Sequence, residues 1–141
     1  MSEDDRRGVV VITGATGMLG SATARQLAQH GADTVLVVRD RARGGRLVNE
    51  LTRIGATHDL VVGDLSEPDS VRVVAGIIGS RNDRVAGLVH SAAVLSAQRR
   101  TNSNGQELMF ATNVLARFLL THELAAALTD PPRKVRRLGL V

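Results

Sequence analysis

The chain has 141 residues, 43% of them hydrophobic and 23% charged, with a net charge of +4. That length suits one domain, and that apolar share excludes a disordered chain. It holds no cysteine, tyrosine or tryptophan and two phenylalanines, which excludes disulfides and thiolate metal sites and leaves an aliphatic core.

Residues 1–8, "MSEDDRRG", read as a flexible tail. No apolar stretch follows a positive start there, and no apolar run anywhere reaches the roughly 20 residues of a membrane span. A cytoplasmic location without a membrane partner is the expectation. Val9 to Thr13 is a β-branched run, as expected of a strand buried on both faces. From Gly17 to His30 the apolar residues Leu19, Ala22, Ala24, Leu27 and Ala28 recur at helical spacing, and Gly31 supplies a stop.

"TVLVV" (Thr34 to Val38) reads as a second buried strand. "RARGGRLVNELTRIG" is weakly helical, its start blurred by Gly44 and Gly45. "DLVVGDL" predicts a third strand ending near Asp64, after which Ser66 is expected to cap a helix over "EPDSVRVVAGII". "VAGLVHSAA" gives a fourth strand running into a small-residue loop, and "AQRRTNSNG" a polar loop. Gln106 to Leu128 reads as the longest helix, with Leu108, Ala111, Leu115, Phe118, Leu119 and Leu124 on or near one face. "TDPP" breaks it, and "KVRRLGLV" reads as the start of a fifth strand. Alternating strands and helices predict βαβ units in a parallel sheet with helices on both faces.

The first βα turn, "TGATGMLG", places Gly14, Gly17 and Gly20 between a strand and a helix. Glycines there permit a tight turn, close approach of backbone to a pyrophosphate, and close packing of helix on sheet. The phosphate then meets the free N–H groups and positive dipole end of the helix. A second strand about twenty residues on completes the context that a dinucleotide site requires.

With "VRD" after the second strand, "GDLS" after the third, "HSAA" after the fourth and an asparagine in the long helix, the sequence resembles the short-chain dehydrogenase/reductase family. The resemblance runs from Val9 to about Val141, and "NGQELMFATNVLARFLLTHEL" is similar to its retinol-dehydrogenase-like branch. The glycine spacing, with Met18 where the commonest pattern has its middle glycine, is similar to the extended, epimerase-like branch, as is "HSAA". The implied fold is a Rossmann-like, doubly wound parallel α/β sheet of about five strands over residues 9–141, incomplete on its C-terminal side.

The resemblance implies that Thr13 braces the turn against the loop after the fourth strand, and that backbone from Ala15 to Leu19, including Thr16 to Met18, lines the pyrophosphate. Asp64 would accept from the adenine amino group beside the Leu65 amide. His90, Ala92 and Ala93 would lie along the adenosine ribose, and Asn113 would hold the catalytic water relay. Arg39, with Arg41 and Arg43 near, favours the 2′-phosphate of NADP; Asp40, one step late, is the competing NAD reading.

The implied reaction is hydride transfer between NADP(H) and a small-molecule alcohol or carbonyl. The family's catalytic tyrosine and lysine would lie beyond the fifth strand, with a serine upstream of them. No tyrosine occurs, and the only lysine, Lys134, precedes that strand. The expectations are therefore, in order, an N-terminal piece of a longer oxidoreductase, a truncated product, or a module that binds a dinucleotide without catalysis. An open sheet edge predicts self-association, as a homo-oligomer.

Other residues have plainer readings. His30 caps a helix end, His58 lies in a loop, and His122 is at the surface. No histidine pairs with a carboxylate at ligand spacing, so no metal site is expected. Ser91 and Ser96 lack a base and read as hydrogen-bonding hydroxyls. Arginines such as Arg25, Arg53, Arg72 and Arg117 are scattered and lack an aromatic stacking platform, which argues against nucleic acid.

Overall fold

The computed structural model describes residues 7–128. Most of the expected tail and all of the expected fifth strand lie outside the described residues. The described chain runs β1 (Val9–Thr13), α1 (Met18–Gln29), β2 (Thr34–Val38), α2 (Arg41–Ile54), β3 (His58–Val62), α3 (Pro68–Arg81) and β4 (Val85–His90). It continues through α4 (Leu108–Phe110), a π-helical turn (Ala111–Leu115), α5 (Ala116–Glu123) and α6 (Ala125–Leu128).

Every strand pairing is parallel, and the order across the sheet is β3-β2-β1-β4. Successive side chains of a strand point to opposite faces, so β-branched runs such as "VVVIT" serve two cores at once. Val11, Val35, Val37 and Val61 face one side, where Val71, Val74 and Ile78 of α3 and Leu120 of α5 cover them. Ile12, Leu36 and Val38 face the other, under Ala24 and Ala28 of α1 and Leu47 and Leu51 of α2. This is the doubly wound arrangement expected from the sequence.

The chain winds outward from β1 to β3, then crosses back over α3 to pair β4 with the opposite edge of β1. The reversal opens a crevice between β1 and β4 at the carboxyl ends of the strands, where open α/β sheets receive ligands.

Four local expectations need correction. The residue at the N-cap of α3 is Glu67, with Pro68 in the first turn. Ser66 instead donates its hydroxyl (2.7 Å) and its amide (3.0 Å) to Asp64 Oδ1, a local turn that takes it away from the helix. The third strand ends at Val62, although Gly63 still donates to Val38 O at 2.9 Å. His58 is the buried first residue of β3: Nε2–H donates to Gly55 O (2.7 Å), and Nδ1 lies 2.8 Å from the Thr34 hydroxyl.

The long helix is the fourth case. It starts at Leu108, capped by the Glu107 carboxylate, and passes through the π turn. The extra residue in that turn rotates the remainder of the helix by about 100° relative to an uninterrupted α-helix. Phe118, expected on the packed face, is consequently exposed, and its ring stacks on His122 at 6.0 Å; Phe110 and Val114, before and within the turn, are exposed too.

Candidate functional site

A cleft of about 920 Å³ opens at the carboxyl edge of the sheet. Its lining takes residues from four successive strand ends: Gly14, Thr16 and Gly17 after β1, Arg39, Asp40 and Arg43 after β2, Asp64, Leu65 and Ser66 after β3, and Ser91 to Leu95 after β4. Arg100, Leu108 and Thr112 line it from the next segment.

The glycines of the first turn divide by cause. Gly14 has φ +59°, and a Cβ on it would lie 2.7 Å from the backbone of Ala92. Gly20 is buried, and a Cβ there would run into the Gly14 carbonyl and come within 2.7 Å of Ser91 Oγ. Protein packing alone therefore requires both. A Cβ on Gly17 would meet nothing but Gly14 O, at 3.2 Å, and Gly17 faces the cleft.

No side chain caps α1, whose N-cap residue is Gly17. The first amides of a helix have no intrahelical partner, so the amides of Met18 and Leu19 are left for a ligand or water. Their side chains are exposed and lie outside the cleft lining. Within Ala15 to Leu19 two amides are committed internally: Ala15 donates to Val37 O (3.4 Å) and Gly17 to Gly14 O (3.0 Å). The surface offered to an anion is thus the start of the helix more than the loop before it.

Thr13 is buried behind this turn. Its hydroxyl donates to Val89 O (3.4 Å) and accepts the Ala92 amide (3.2 Å), while Ser91 donates its hydroxyl to Thr13 O. These bonds tie the strand end of β1 to the loop after β4 and keep Ala92 and Ala93 along the cleft.

After β2, Arg39 is exposed at the cleft with Arg43, whose Nη2 donates to Thr16 O at 3.4 Å. Asp40 is occupied differently: its Oδ1 accepts the Arg43 amide at 3.0 Å and caps α2. That backbone hydrogen bond, foremost, holds the Asp40 carboxyl below the usual aspartate range.

After β3, Asp64 lines the cleft beside the buried Leu65, with one carboxylate oxygen engaged by Ser66. Asn102, itself buried, closes this side. Its Nδ2 donates to Ser66 O (2.9 Å) and Gln106 Oε1 (2.8 Å), and its Oδ1 accepts the amides of Asn104 and Gln106, each at 3.0 Å.

Six expected site residues stand apart from the lining: Thr13, Met18, Leu19 and Gly20 at the first turn, and His90 and Asn113 farther along the chain. His90 Nε2 is 2.9 Å from the Thr121 hydroxyl on α5, and burial, then Arg117, pushes its imidazole below the ordinary histidine value. Asn113, in the π turn, pairs both ways with one residue: Nδ2 donates to Val94 O (2.8 Å), and Oδ1 accepts the Val94 amide (2.9 Å). Its amide group thereby locks the π turn to the loop after β4. Arg100, Thr112 and Asn102 escaped the sequence reading, and Leu108 was read only as a helix-face residue; Thr112, adjacent to Asn113 in "ATN", had a signal near it.

A parallel sheet reversing beside β1, a glycine turn and a cleft across four strand ends define a Rossmann-like, doubly wound α/β protein. The short chain dehydrogenase model matches residues 8–134. The chain belongs to that family. It is 32% identical over 124 residues to human retinol dehydrogenase 11, covering 86% of this chain and 39% of the relative. Against bovine retinol dehydrogenase 12 it is 33% identical over 136 residues, covering 94% and 43%. The chain therefore spans about two-fifths of the length of these relatives.

Among solved structures it is similar to a metagenomic short-chain oxidoreductase in complex with NADP, with TM-score 0.76, 28% identity, and coverage of 87% of this chain and 57% of the other. It is also similar to a short-chain dehydrogenase from Sphingobium yanoikuyae in complex with NADPH, with TM-score 0.72, 26% identity, and coverage of 84% and 47%. Among the described residues, no helix is long and apolar enough to cross a membrane.

Proposed function

We propose that this chain holds NADP(H) for an oxidoreductase that moves a hydride between that cofactor and a small-molecule alcohol or carbonyl. The carrying observation is Gly17, a cleft-facing glycine where an added Cβ would meet one neighbour, the Gly14 carbonyl at 3.2 Å, in contrast to the multiple close contacts at Gly14 and Gly20. The residues present fit the cofactor. The uncapped start of α1 suits the pyrophosphate, and Asp64 with Leu65 suits the adenine edge.

The preference for NADP rests on the residues after β2. Arg39 and Arg43 present guanidinium groups at the cleft, whereas the carboxylate that would take a 2′-hydroxyl, Asp40, is occupied at the start of α2. Bound NADP(H) would supply or accept the hydride; this chain's own part is to bind and orient it. The absence of any tyrosine favours a second reading, in which the chain as given binds without turnover. Oxidation of NADPH by the full chain in the presence of an aldehyde would overturn that second reading.

The test is a fluorescence titration of NADPH into the full chain. Gly17→Val should weaken binding at least tenfold, because its side chain occupies the phosphate approach. Arg39→Ala should weaken NADPH roughly tenfold or more, the usual worth of a charged hydrogen bond, and leave NADH unchanged. Failure of the unmodified chain to bind, or indifference to Gly17→Val, would overturn the proposal.

A further inference from the structure

A second cavity, a groove of about 180 Å³, lies between α1 and α2 and shares only Thr16 and Arg43 with the cleft. Its volume is that of about six waters at roughly 30 Å³ each, room for a tetrahedral oxyanion with part of its hydration shell. Arg25 of α1 and Arg43, Arg46 and Glu50 of α2 line it, so three guanidinium groups meet one carboxylate.

That carboxylate is already engaged. Glu50 stands four residues after Arg46, the spacing of a helical ion pair, yet it takes Arg25 of the neighbouring helix. Arg25 Nε donates to Oε1 at 2.5 Å and Nη2 to Oε2 at 3.2 Å, while Nη1 donates to Ser21 Oγ at 3.2 Å. Asp40, three residues before Arg43, accepts the Arg43 amide at the start of α2. Arg43 and Arg46 are consequently left without an ion pair among the described residues. They sit three residues apart on one helix, where like charges repel, and an anion between them removes that repulsion.

We propose that the groove between α1 and α2 is a binding site for a phosphate dianion separate from the dinucleotide, held by Arg43 and Arg46. The excess of two positive charges matches that ion, and planar guanidinium forks suit its oxygens. The Arg25–Glu50 pair spans the two helices and fixes the opposite wall. Arg43 belongs to both cavities and donates to Thr16 O at 3.4 Å between them, so the site adjoins the cleft without lying in it. The phosphate comes either as the free ion or on a small phosphorylated metabolite.

The test is calorimetric titration of inorganic phosphate, and separately of glycerol 3-phosphate, into the full chain at constant ionic strength. Arg46→Ala should weaken both about tenfold, the worth of a charged hydrogen bond, whereas Arg53→Ala, an exposed arginine of the same helix outside the groove, should change them less than about twofold. Glu50→Gln, which frees Arg25, should tighten both. Gly17→Val, which closes the phosphate approach in the cleft, should leave them unchanged, and Arg46→Ala should leave NADPH affinity unchanged. Tighter binding of the ester identifies a phosphorylated metabolite as the ligand, and tighter binding of the ion identifies free phosphate. No phosphate binding, an equal loss in Arg53→Ala, no gain in Glu50→Gln, loss in Gly17→Val, or a matching loss of NADPH in Arg46→Ala overturns the inference. Phosphate binding that needs Arg46 in a chain that takes no NADPH would overturn the cofactor reading alone.

Discussion

The two ends of the cleft are made of different material. At the first βα turn the surface is backbone: Gly14 in a left-handed conformation, Gly17 without a side chain, and the uncapped start of α1. At the far end it is side chains: Asp64 held by Ser66, with Arg100, Leu108 and Thr112, backed by Asn102 spanning to Ser66 O and Asn113 gripping Val94. A backbone surface is fixed by the fold and tolerates almost no added atom. A side-chain surface can be altered in steps, each with a graded effect.

Substitutions at each end should break or sharpen that contrast. The largest effect is expected at Gly14. Gly14→Ala puts a Cβ 2.7 Å from Ala92 Cα and N in a φ of +59°, and should lower stability by roughly 2–4 kcal/mol in urea unfolding. A loss below about 1 kcal/mol would mean that the turn relaxes easily, against the backbone-built reading.

Asn102→Ala should come next, at about 2 kcal/mol, since it strands Ser66 O and two amides in a half-buried place. Unlike Gly14→Ala it should leave the melt cooperative and weaken NADPH only several-fold. A protein that melts as before would show that the polar network is exchangeable with water.

The smallest effect is expected at Asp40. Its carboxyl titrates below the ordinary aspartate value because the folded protein donates the Arg43 amide to it. A lowered folded value gives stability that is fully present above the unfolded value of about 3.9 and is lost as pH falls through the folded one. Asp40→Ala should therefore melt slightly lower at pH 7, and the difference should close in acid. A constant difference across that range would mean that capping by the carboxylate is not its source.

The fold was legible because its signals are local. "VVVIT" and "TVLVV" name buried strands by themselves, and "TGATGMLG" names a turn by its neighbours on either side. Arg39 could be placed for the same reason, one step past a strand end. The residues that escaped depend on partners far along the chain. Asn102 meets Ser66 across 36 positions, and nothing in "RRTNSNG" announces it.

The π turn was illegible for a related reason. An extra residue in a helix leaves the apolar count unchanged and shifts only its phase, so Phe118 read as core when it faces solvent. Ser66 and Glu67 show the remaining limit. Either could begin a helix, and the choice was made by Asp64, which took the serine, and Ser103, which donates its amide to the glutamate at 3.0 Å.

The engagement of Asp40 has an engineering consequence. Turning this scaffold from one nicotinamide coenzyme to the other by rotating that aspartate toward a ribose would release the beginning of α2 from its anchor. On the proposed cofactor reading, selectivity and the integrity of a helix would be coupled through a single carboxylate, so redesign would begin with a new acid in place of Arg39 and leave its neighbour alone.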